Sequence, residues 1–171
     1  MNRRQFLLLG AALPVALVAA PTVIARQRHY DLAALHAELA GLSLDLHNPG
    51  SWNLSQMLQH CTQSVRYSLD GYPQPFSPLF QHTAGRAAAT VFRAAGRMHH
   101  DLAEAIPGAA QLDANLPAAQ ARDLLLQALA DFQNYDGPLK PHFAYGALDK
   151  DAYAAAHWLH VRNHLDALVA V

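Results

Sequence analysis

The chain has 171 residues, 52% of them hydrophobic, with a formal net charge of −1 and one cysteine. That length means one domain, large enough to pack a core without staples. Cys61 alone excludes an intrachain disulfide, and the lack of any basic run in the body of the chain excludes nucleic acid as an expected partner.

The first stretch has the three-part plan of an export signal. Met1-Asn-Arg-Arg-Gln is short and basic, Phe6 to Ala20 is apolar and rich in Ala, and Val23-Ile24-Ala25 offers a cleavage site after Ala25. Arg3-Arg4-Gln5-Phe6-Leu7 resembles the twin-arginine motif, with Asn2 where Ser or Thr is usual. We therefore expect residues 1–25 to be a signal peptide for the twin-arginine export machinery. Residues 26–171 would form a single periplasmic or exported domain. The alternative is a membrane anchor, since Phe6 to Ala25 is nearly long enough to span a bilayer, although Pro14 and Pro21 weaken it. Cleavage leaves 10 Lys and Arg against 13 Asp and Glu, a net charge of −3.

Strand signals are nearly absent, and Ala and Leu recur with helical spacing. A first, shorter helix is expected over Tyr30 to Leu42, with Leu32, Leu35 and Leu39 on one side, ended by Gly41 and the His47-Asn48-Pro49-Gly50 loop. Asn53 suits the cap of a second helix running to about Asp70, whose apolar side carries Leu54, Leu58, Cys61, Val65 and Leu69. After the Gly71-to-Pro75 break, a third helix is expected from Pro78 to about Ala105. Its core stripe would be Phe80, Ala84, Ala88, Val91, Ala95, Met98 and Leu102, and Ile106-Pro107-Gly108 would stop it. Pro117 suits the first position of a fourth helix to about Tyr135, burying Leu125, Ala128, Leu129 and Phe132. A proline-flanked loop, Lys140 to Gly146, leads to Asp149, the expected N-cap of a last helix reaching about Ala170. The pattern predicts an all-α, up-and-down four-helix bundle with an additional short N-terminal helix.

Histidine is the outlier of the composition: 11 residues, all beyond Ala25. His157, His160 and His164 fall within an arc of roughly 60° on the last helix, on the side shared by Tyr153, Val161 and Leu168. Buried imidazoles need hydrogen-bond partners or a metal, and three on one apolar stripe are hard to satisfy separately. His160 and His164, one turn apart, can reach one ion, and a further ligand must come from another helix. The best candidate is His60, in the middle of the second helix, with Ser64 and Tyr67 beside it on the same face. His142, between prolines with Phe143 and Tyr145, is either a substrate contact, a fourth ligand or an ordinary loop histidine. His99 and His100 are placed at the end of the third helix near its terminal carbonyls, His99 as a solvated residue. His29, His36, His47 and His82 read as surface residues, and Cys61 as a small core residue.

Several stretches together resemble the DinB/YfiT-like superfamily and, within it, the bacterial family called domain of unknown function 1569. They are Leu58-Gln-His60 with Gln63-Ser64 and Tyr67-Ser68, Gly71-Tyr-Pro73, Gly96-Arg-Met98 with His100, Ile106-Pro-Gly108-Ala109, Pro141-His-Phe-Ala-Tyr-Gly146, and Ala156-His157 through His160 to His164. The resemblance spans about residues 30 to 170. It implies a four-helix bundle whose metal is held by His60, His160 and His164, the same three chosen from spacing. It also implies a pocket that includes His142, His157, Ser64 and Tyr67; Tyr145 joins that pocket through the same loop as His142. Studied relatives in the superfamily include thiol-dependent transferases and isomerases, and many others are called putative metal-dependent hydrolases.

Two functions follow as expectations. One is a metal-dependent enzyme, a hydrolase or thiol-dependent transferase, acting on a small molecule at an open metal position, with Tyr67, His142 or His157 as candidate catalytic groups. No carboxylate stands out as a base; Asp70 and Glu104 lie near helix ends. The other is a non-catalytic metal-binding or sensing protein whose fourth ligand is His142 or His157. Zinc is the first expectation for the metal, with nickel or iron as alternatives. A noncovalent haem bundle is a third reading, since no C-x-x-C-H occurs. A homodimer is compatible with all three.

Overall fold

A computed structural model describes residues 30–170. The twin-arginine segment, the proposed cleavage site after Ala25, and His29 lie outside the described residues. Most of the described chain is helical, and no helix in it is long and apolar enough to cross a membrane.

Helix α1, Leu32–Ala40, starts at Asp31, whose side chain accepts from the Ala34 amide, and buries Leu32, Leu35 and Leu39. Helix α2, Leu54–Asp70, begins with a reciprocal capping box between Asn53 and Gln56. Its expected apolar stripe, Leu54, Leu58, Cys61, Val65 and Leu69, is buried throughout. Helix α5, Ala118–Asn134, buries Ala121, Leu125, Ala128, Leu129 and Phe132 and makes its most extensive packing with α2. Helix α6, Lys150–Leu165, is capped by Asp149 and packs on α1, α2 and α4. Arg162 on α6 forms a two-pronged pair with Glu38 on α1, which ties the short first helix to the last.

The third helical stretch departs most from expectation. It is a short turn α3, Pro78–Phe80, then a π-helical segment Gln81–Gly85, then α4, Arg86–Ala95. It stops ten residues early because Gly96 takes the left-handed conformation (φ 68°), which turns the chain out of the helix. Of the expected stripe, only Met98 is buried, and it lies beyond the helix; Val91 is 61% exposed and Phe80 40%. The last helix also ends earlier than expected, at Leu165, and Val169–Ala170 (β2) pairs antiparallel with Leu46–His47 (β1), a two-residue ladder that the sequence pattern did not signal.

Between Gly96 and Pro117 the chain runs without helix or strand and is strapped along α2 by amides. Gln63 donates to the Ala110 carbonyl (2.8 Å). Gln59 donates to the Asp113 carbonyl (2.7 Å) and accepts from the Asp113 amide (3.0 Å), and Asn53 donates to the Ala114 carbonyl (3.0 Å). Met98 and Ile106 anchor this connection by burial. It therefore lies over the same end of α2 and α6 where the histidines converge.

Candidate metal centre

His60 from α2 meets His160 and His164 from α6 at the seam between the two helices. The three side chains are buried, and one ligand atom from each lies within 4.8 Å of the others. His60 Nε2 and His160 Nε2 are 3.0 Å apart. Two imidazole nitrogens sharing a tetrahedral ion at 2.0–2.1 Å each sit about 3.3 Å apart, so only a slight opening is needed. The donor chemistry fits a divalent ion on a second ground. Both nitrogens of His164, and Nδ1 of His60 and of His160, are buried without a hydrogen-bond partner. One ion takes one nitrogen per ring, so an ion shared by the Nε2 atoms of His60 and His160 would relieve His164, whose ring has no other partner and is the costly orphan here. Burial, followed by the neighbouring His100, lowers the His60 imidazole to about 4; burial, followed by His60 and then His100, lowers His164 to about 3; and burial holds His160 well below its usual value. The cluster is therefore neutral at physiological pH, the state in which imidazole ligates metal.

A fourth imidazole stands against these three. His100 lies in the connection after Gly96, with its ring centroid 5.0 Å from His160, 5.1 Å from His164 and 6.4 Å from His60. Its Nδ1 is 2.7 Å from the Asp101 carbonyl, which makes Nδ1 the protonated nitrogen and leaves Nε2 as a buried lone pair without a partner. Sequence reasoning left His100 at a helix end because it let the third helix run through Gly96. The usable signal was that glycine, which at a helix terminus turns the following residues back toward the bundle. Trp52 packs on His60, with ring centroids 4.9 Å apart.

His60 and His160 line a cavity of about 200 Å³, together with His100. Ser64, His142, Tyr145 and His157 all line it, so the structure brings these sequence candidates together. Tyr67 is not among the lining residues; it is half-buried and packs on Tyr72 at 5.6 Å. The walls are mostly apolar, from Phe76, Phe92, Met98, Ile106 and Phe143, and the single charged residue among them is Glu104, which is exposed. Asp70 is instead paired with Arg66 at 3.2 Å. A second cavity of about 260 Å³ shares Phe92, Met98, Tyr145 and Ala156 with the first.

His142 and His157 have one nitrogen each already engaged. His142 Nδ1 accepts from the Ala144 amide (3.1 Å) and the Tyr145 amide (3.2 Å), and its ring stacks on Tyr145 at 4.2 Å. The loop that holds it is closed by paired His142–Gly146 backbone bonds and pinned to α2 through Lys140 N–H to the Ser68 carbonyl (2.9 Å). The Tyr153 hydroxyl on α6 donates to the Lys140 carbonyl (2.6 Å). The π segment braces the same loop. Gln81 donates to the Phe143 carbonyl (3.0 Å), and a Cβ at Gly85 would lie 1.9 Å from the Ala144 carbonyl oxygen. His157 Nε2 is 3.1 Å from Ser68 Oγ, whose own hydrogen goes to the Val65 carbonyl (2.7 Å), so His157 donates. Burial lowers both imidazoles to about 3.

The fold and site define a helical protein with a buried three-histidine cluster able to hold a metal ion. The chain belongs to the family described as protein of unknown function DUF1569, whose model matches residues 25–171. Comparison with curated proteins and with solved structures yields no match.

Proposed function

We propose that the protein is an exported, metal-dependent enzyme of the DinB type. Its four-helix bundle would be α2, the α3–α4 stretch, α5 and α6, with α1 as an addition. The observation that carries the reading is the convergence of His60, His160 and His164, with buried, unpartnered nitrogens, beside a cavity that His60 and His160 line. These three would hold the ion, with zinc the first expectation and nickel or iron the alternatives. An ion held there supplies Lewis acidity and favours the ionised form of a water or thiol beside it. Hydrolysis and thiol-dependent transfer both use that chemistry. The protein's own contribution is a mostly apolar cavity, with His142 and His157 presenting fixed polar atoms to a small substrate. The twin-arginine motif at Arg3-Arg4 supports export of an already folded, metal-loaded chain.

His100 favours a second reading, a closed metal-binding or sensing site with four imidazoles. Its Nδ1 donates to a carbonyl, as is usual in ligating histidines, its Nε2 is buried without a partner, and its ring centroid lies 5.0 Å from that of His160 and 5.1 Å from that of His164. Elemental analysis and coordination number decide between the two. About one ion per chain with three protein nitrogens and an exchangeable position supports an enzyme, and four protein nitrogens support the closed site. Protein that is folded, carries no metal and takes up none removes both readings.

A further inference from the structure

We propose that His142 and His157 form a donor–acceptor pair that recognises a neutral amide group at the wall of the metal cavity. The proposal deepens the enzyme reading by naming a substrate class, but it rests on the two side chains and not on the ion. The tautomers follow from the hydrogen bonds. His142 Nδ1 takes two backbone N–H donors and so carries no proton; in the neutral ring the proton sits on Nε2, which is a donor. His157 is the converse. Ser68 Oγ has committed its hydrogen to Val65, so it receives the proton of His157 Nε2, and Nδ1 is left as an acceptor. Both rings line the same cavity. One fixed N–H and one fixed lone pair match the C=O and N–H of a primary or secondary amide.

The rest of the cavity selects against the alternatives. No lysine or arginine lines it, and its lone charged residue is Glu104, so a carboxylate or phosphate finds no counter-charge there. A carboxylate would also face the His157 lone pair. The walls of Phe76, Phe92, Met98, Ile106 and Phe143 fit an aromatic or aliphatic body. His142 is too well supported to reorient: the loop is fixed to Ser68 and Tyr153, and Gly85 lets the Ala144 carbonyl approach the π segment closely.

The test uses benzamide, acetophenone and benzoate as probes of the purified chain, with zinc content measured on every sample. Benzamide should bind best, acetophenone more weakly for want of an N–H, and benzoate weakest. His142→Asn keeps an acceptor near the Nδ1 position for the loop amides but has no atom at Nε2; it should weaken benzamide roughly tenfold while zinc content stays unchanged. His142→Gln, which can place an N–H near Nε2, should recover part of that loss. Long-range ¹H–¹⁵N spectra of the wild type should show Nε2–H for both residues, a readout that needs no variant. An Nδ1–H tautomer at His142, benzoate binding as tightly as benzamide, or unchanged benzamide affinity in His142→Asn would overturn the pair. Loss of zinc in His142→Asn would also overturn it, by making His142 a ligand. A wild type that takes up no zinc but shows the expected probe order would defeat the metal reading and leave this one standing.

Discussion

Each histidine of the cluster is kept neutral by the cost of charging an imidazole away from water, and this sets how the protein responds to acid. The folded-state values of His60, at about 4, and of His164, His142 and His157, at about 3, lie below the ordinary 6.5. The unfolded chain therefore binds protons first as pH falls. The associated stability is fully present above about pH 6.5 and is lost progressively toward pH 4 and 3. Thermal melts of the metal-free protein should show a falling midpoint across that window, and a midpoint flat from pH 7 to 4 would contradict the burial. Acid should also expel the ion, because protons compete for the same nitrogens; metal retained well below pH 5 would point to carboxylate ligands. Replacing His164 by Ala removes the residue with no other partner for either nitrogen. Stoichiometric metal should disappear while the fold persists, as elemental analysis and circular dichroism would report. Cys61, one position from His60, has no part in this: it is fully buried, and burial pushes its thiol up, away from the ligating thiolate.

At the scale of elements, the site depends on how loops are fixed to helices. The π segment Gln81–Gly85 widens the turn where the 141–146 loop docks, and Gly85 is the contact point. Gly85→Ala should push the Ala144 carbonyl away, cost about 1–3 kcal/mol and displace His142. The check is a denaturant melt together with loss of the His142 Nε2–H signal; a native-like melt with an unshifted signal would show that the loop tolerates the methyl. The 96–117 connection is fixed differently, by glutamine and asparagine amides spaced along one side of α2. Here the sequence was partly legible. Capping at Asn53 and Asp149 and the apolar stripes of α1, α2 and α5 follow from local rules, and the structure has them. The long third helix does not, because the Ala-rich run at residues 86–95 and the helical spacing of Met98 and Leu102 carry the pattern past residue 96, and the left-handed Gly96 ends the helix there.

For the whole molecule, an ion held by His60 and by His160 with His164 would cross-link α2 to α6, the two helices that also carry the 140–146 loop. Binding restricted to the folded state stabilises it, by about 2.7 kcal/mol when the free ion is a hundred times its dissociation constant. A strong chelator should therefore lower the thermal midpoint, excess zinc should restore it, and the His164→Ala protein should not respond to either. Equal responses from both proteins would place the ion elsewhere. The amino-acid sequence by itself determined the helical class, the buried faces of α1, α2 and α5, and the choice of His60, His160 and His164, because helical periodicity is local and repeats every turn. Tertiary structure alone decided that His100 packs against the cluster and that Tyr67 stands outside the cavity. It also decided which nitrogen of His142 and His157 remains free, since those outcomes depend on contacts between segments that no local pattern encodes.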